Sequence, residues 1–196
     1  MELVTLPKSA ARAYVERVSS GSMVQGVVRA VGESPVAEWV ADAQQTVYRP
    51  LLEWARRSPL HSGVLGHSVH PVLTDVTLGC WLSASILDVA GGSKAHDSAR
   101  LLVASGLAAA IPTAVAGAAD WTELSGAERR IGAVHAAGTD IATVLFFGSL
   151  VARMRGNRVT GSKFAIAGNL VMVGAGLLGG HLALTKGTAN RTAATP

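Results

Sequence analysis

Charge is scarce in this sequence. Only 15% of its 196 residues are Asp, Glu, Lys or Arg, against about 25% in a soluble globular domain. The shortage is local: residues 72–184 hold four long apolar runs, while residues 1–65 are ordinarily polar. Cysteine is nearly absent too. Cys80 stands alone, which excludes an intramolecular disulfide, and inside an apolar run it reads as a small packing residue. No basic stripe interleaved with aromatics occurs, so the net charge of +4 is read as loop arginines beside membrane spans and nucleic acid is not a partner. Residues 1–20 lack an apolar core followed by a small-residue cleavage site, so no signal peptide is expected and the first span should direct insertion.

What is present is a set of helices. A membrane helix needs roughly 20 apolar residues to cross about 30 Å of hydrocarbon. Four segments qualify, near Val72–Ala90, Ala99–Ala119, Ile131–Val151 and Phe164–Leu184. They are separated by Gly91-Gly92-Ser93-Lys94, by Asp120 to Arg130 and by Arg153 to Lys163. Ahead of them Ser34-Pro35 reads as an N-cap and first helical residue. Val36, Val40, Ala43, Val47, Leu51 and Trp54 then recur at spacings of three and four, an amphipathic helix with Pro50 kinking it. Trp39, Tyr48 and Trp54 suit the headgroup level or a partner's surface. Small residues at fourfold spacing (Gly106, Ala110, Ala114 and Ala118, then Gly168, Met172, Gly176 and Gly180) predict close helix contacts. The expected fold is all-α: an integral membrane four-helix up-down bundle over residues 61–186, preceded by an extramembrane or interfacial helical segment, 1–60, and followed by a flexible tail, 187–196.

Up-down topology brings the start of the first and third spans and the end of the second and fourth to one membrane face, side A. That gathers His67, His70 and Asp75 from the first span, Asp120 from the second, His135 from the third and His181 from the fourth. Asp140, nine residues beyond Ile131, falls near the midplane, where an ionisable group is read as functional. Asp88 lies toward the opposite side B, with Lys94 or Arg100 as its expected ion-pair partner. His61 and His96 are read as solvated loop residues. Imidazoles with carboxylates suit zinc, iron or copper, and two histidines on facing helices suit a b-type haem. The candidate cofactor ligands are His70, His135 and His181. His67, Asp75 and Asp120 complete the metal-binding set, the two carboxylates in it orienting the imidazoles or joining the ligands.

Residues 60–185 resemble the bacterial membrane family known as domain of unknown function 2231. The likeness rests on Leu65-Gly66-His67-Ser68-Val69-His70-Pro71-Val72-Leu73-Thr74-Asp75, on Leu78-Gly79 and Asp88, and on Ala109-Ala110-Ile111-Pro112-Thr113 with Gly117 and Asp120-Trp121. It continues through Arg129-Arg130, Val134-His135-Ala136 and Leu178-Gly179-Gly180-His181. The resemblance implies a four-span membrane protein, and because some relatives carry a Rieske-type iron–sulfur domain it implies electron transfer with a redox partner protein. Two positions depart from the family: Ser68 follows His67 where His-Pro-Leu-His-Pro is usual, and Thr139 replaces an asparagine. Three functions fit these residues: a metal or haem site for electron transfer, a structural protein whose polar cluster clasps the bundle, or a small proton- or ion-coupled transporter acting as a homo-oligomer. A multi-pass protein of the plasma membrane is expected. Basic residues near the spans divide six to six between the two sides and so do not orient it, although the long N-terminal segment favours a cytoplasmic side A.

Overall fold

The computed structural model describes residues 23–61 and 66–187, and every regular element among them is helical. Expectations for residues 1–22 and for the tail after Gly187 lie outside the described residues. Three short helices form an N-terminal arm: α1 (Met23–Gly32), α2 (Pro35–Val47) and α3 (Arg49–Ala55). Ser34 caps α2 as its sequence requires, accepting a hydrogen bond from the Ala37 amide at 3.3 Å. Pro50 does more than kink the helix: α2 ends, and α3 begins at Arg49 with the proline in its first turn.

Four long helices follow, α4 (His70–Ala90), α5 (His96–Trp121), α6 (Gly126–Met154) and α7 (Arg158–Gly180), the last continued by a π-helical turn, His181–Thr185. Each is long and apolar enough to cross a bilayer. Their outward residues confirm the solvent they are built for. Val89, Ile111, Val144 and Leu170 are 80%, 70%, 69% and 70% exposed, within an apolar surface that water would not tolerate at this extent. The chain is a multi-pass membrane protein. Its turns are short: after α6, Gly156 takes φ +79°, and Asn157 then caps α7 by accepting from the Thr160 amide at 3.1 Å.

Within the bundle α4 packs along α5 and α6 along α7, and the two hairpins meet through α5 with α6 and through α4 with α7. α4 and α6 therefore stand diagonally opposite and meet through large side chains at the centre. Trp81 and Phe146 stack there, ring centroids 4.0 Å apart and planes within 9°. A methyl on Gly106 would lie 2.4 Å from the Trp81 ring, and one on Gly168 2.7 Å from Phe146, so glycine is what admits each ring. The longer small-residue ladders are corrected: Ala114 and Gly176 face outward. A four-residue step turns the helix face by about 40°, so a ladder leaves the contact after one or two steps.

Toward side B the bundle closes on an ion pair. Asp88 receives both terminal nitrogens of Arg153, one at 2.9 Å, and the two side chains are 4% and 3% exposed. This corrects the expected pairing with Lys94 or Arg100. Arg153 is reached across the bundle, where its guanidinium forks onto the carboxylate, and its Nε also donates to Ser149 Oγ at 3.1 Å.

The arm lies parallel to the first half of α6. Arg129 donates to Glu38, Asp42 and Gln45 at 2.7–2.8 Å, Arg130 bonds Glu38 and the Gly32 carbonyl, and Gln44 reaches the Ala133 carbonyl. α3 continues onto α5, where Ala55 packs with Val115 and Ala119. The arm thus packs on its own bundle through Ala37 and Ala41 and the polar contacts above, while Val36, Trp39, Val47 and Trp54 of the expected apolar face stay 57–71% exposed.

Removing one member of a buried ion pair strands the other, at about 3–5 kcal/mol. Asp88→Ala is expected to lower the melting temperature of detergent-purified protein sharply, while Lys94→Ala and Arg100→Ala leave it unchanged.

Candidate functional site: two imidazoles at the bundle centre

The structure divides the six sequence candidates. His70 and His135 meet, with ring centroids 6.3 Å apart and planes at 85°. His70 opens α4, and its Nδ1 lies 2.9 Å from the Thr113 carbonyl of α5. His135 sits in α6, and its Nδ1 lies 2.8 Å from the Ala175 carbonyl of α7. A carbonyl only accepts, so each Nδ1 carries its proton and donates. In a neutral ring Nε2 is then the lone-pair nitrogen, and neither Nε2 is hydrogen-bonded by a described residue.

Both rings rest in glycine notches. A methyl at Gly117 would stand 2.7 Å from His70 Cε1, and one at Gly179 would stand 2.7 Å from His135 Cε1. In each case the glycine lies four residues after the accepting carbonyl, one turn along the same helix. Sequence reading passed over Gly117 and Gly179 as parts of matched motifs. Their signal was a glycine at the depth of each histidine on the neighbouring span.

The remaining candidates stand apart from this pair. Asp120 accepts from Ser68 Oγ, which in turn accepts from the His70 amide at 3.0 Å. It thus fixes the first turn of α4, holding the His70 backbone rather than its ring. Ser68, 1% exposed, is part of the site that sequence reading missed. His67 Nδ1 donates to the Ser68 carbonyl at 2.9 Å. Asp75 is exposed on the outer face of α4. His181, in the π turn, lines a hollow of about 480 Å³ with Arg29, Glu33, Glu128 and Lys186. Among the described residues, no three His, Cys, Asp or Glu side chains group to hold a metal ion.

Two histidines expected to be solvated loop residues have partners, and His96 is the first residue of α5. His61 Nε2 lies 3.0 Å from Glu123 and its Nδ1 3.9 Å from Asp120, with its side chain 14% exposed. His96 Nδ1 accepts from Arg158 at 2.6 Å. Asp140, expected as a functional group near the midplane, faces outward, where the Tyr48 hydroxyl of the arm donates to it at 3.1 Å. Five residues of helix turn its side chain about 140° from that of His135.

With this geometry in view, no family model, curated protein or solved structure matches the chain.

Burial pushes the Tyr48 hydroxyl above a tyrosine's ordinary value of 10.0, and the negative Asp140 beside it and their hydrogen bond add to the rise. The folded protein therefore holds this proton more tightly than the unfolded chain. The stabilisation is complete below pH 10.0 and is lost as pH rises past it. Wild type is expected to lose melting temperature more steeply above pH 10 than Tyr48→Phe does; parallel curves would contradict the contact.

Proposed function

We propose that this membrane protein holds a redox metal centre between His70 and His135, the iron of a b-type haem or a single copper ion, and serves in electron transfer. The observation that carries the reading is the matched pair of imidazoles from two different hairpins. Each has its Nδ1–H held by a helix carbonyl and its Nε2 unshared. Metal-bound histidines characteristically anchor their second nitrogen in this way. The two rings stand close, with centroids 6.3 Å apart, so His70 and His135 would be the residues to hold such a centre. Zinc, which takes four ligands in structural sites, fits less well, since the described residues offer no third group. The resemblance to relatives fused to Rieske-type domains supports electron transfer as the use of such a centre.

A second reading has its own observation. Each Nδ1–H bond ties the two helices of one hairpin together, so both histidines also serve as interhelical clasps. If that is their whole role, replacing them lowers stability and changes no bound group.

The test is metal analysis with an optical spectrum of full-length protein, purified from cells supplied with iron, copper and a haem precursor. One metal or haem per chain is expected, lost in His70→Ala and in His135→Ala but kept in His181→Ala and Asp75→Ala. Colourless protein without stoichiometric metal would overturn the electron-transfer reading, and so would loss of the group only in His181→Ala.

A further inference from the structure

The two hairpins carry the same sequence signature. Val69-His70 with Thr74-Asp75 opens α4, and Val134-His135 with Thr139-Asp140 recurs in α6, each residue 65 positions on. The same interval separates Trp81 from Phe146 and Asp88 from Arg153. These are the residues that meet at the centre of the bundle: His70 with His135, Trp81 with Phe146, Asp88 with Arg153. A residue touches its own equivalent only on a two-fold axis, and here three pairs in succession do so.

The outer helices repeat the pattern with an interval of 62. Gly106 admits Trp81 and Gly168 admits Phe146. Thr113 accepts from His70 as Ala175 accepts from His135. The hypothetical methyls at Gly117 and Gly179 meet Cε1, Nδ1 and Nε2 of their histidines at the same three distances, 2.7, 2.9 and 3.3 Å. Buried Val103 and Ala165 correspond as well. α4 and α6 both begin at side A, so the axis runs along the membrane normal, as in transporters built from parallel repeats.

We infer that the four spans are two copies of one helical hairpin, and that His70 and His135 are equal halves of a single site on the axis between them. The ligand of that site is a group that accepts two equivalent imidazole nitrogens from opposite sides. This deepens the metal-centre reading and rests on it for the ligand, though not for the symmetry. The arm breaks the equivalence outside the core: Tyr48 covers Asp140, while Asp75, its counterpart, has no partner among the described residues.

The symmetry is tested on full-length protein by exchange across the axis. Arg153 passes close to Gly161, whose counterpart is Ala99. Asp88→Arg and Arg153→Asp should each lower the melting temperature. Combined with Ala99→Gly, the two should recover at least half of what the worse single variant loses. Gly117→Ala and Gly179→Ala should lower it equally, within a few degrees. A triple variant no more stable than the singles, or glycine variants of plainly unequal effect, would overturn the two-fold relation. For the site, His70→Met and His135→Met should give superimposable spectra of the bound group, and two different spectra would overturn equal half-sites. Melting data that obey the symmetry in a protein without metal or haem would remove the metal reading and leave the duplication standing.

Discussion

Trp81 and Phe146 reach each other only because Gly106 and Gly168 leave room behind them. In lipid, apolar surface has nothing to gain by leaving its surroundings, so helices associate through close van der Waals contact and a few interhelical hydrogen bonds. The aromatic stack supplies that contact between α4 and α6, whose backbones stand diagonally apart. Everything else along the centre depends on its spacing. A bulkier residue at either glycine would push a ring toward the axis and separate the two hairpins at both ends of the stack.

The polar groups are placed at those ends. From His70 to Trp81 is eleven residues, about 16 Å of helix, and from Trp81 to Asp88 a further seven, about 10 Å. The imidazoles and the ion pair thus lie near opposite faces of a hydrocarbon layer about 30 Å thick, with the ring stack between. Asn169 adds one polar tie close to the stack, donating to Ser85 Oγ of α4 at 2.7 Å. The arm acts on the side A end alone. Through Arg129 and Arg130 it braces the first turns of α6, with His135 further along the same helix.

The existence of the spans, their order and the Ser34-Pro35 helix start were all legible in the sequence, because length, apolar content and capping chemistry are local properties. The membership of the site was legible only by depth. His181 shares a membrane face with His70 and His135, yet it turns into a hollow under the arm, since the rotation of a helix about its axis depends on packing that no single span encodes. The same limit hid the partner of Asp88, for Arg153 had been read as a loop residue when it points inward. Asp140 followed the converse path: its depth suggested a functional group, and its outward rotation gave it to Tyr48. The Val-His-x-x-x-Thr-Asp repeat was visible in principle, but four residues at an interval of 65 carry little weight until the structure brings their equivalents face to face.

The Asp88–Arg153 pair gives the two halves a rule of recognition. In a membrane crowded with copies of this chain, hairpins from different molecules share the same shape, the same glycine notches and the same aromatic ridge. Two first hairpins brought together would oppose carboxylate to carboxylate at the buried end, and two second hairpins guanidinium to guanidinium, each an uncompensated charge in a low-dielectric interior. Only unlike halves can close the bundle. Near-symmetry gives them a common fit, and one opposed pair of charges keeps a first half joined to a second.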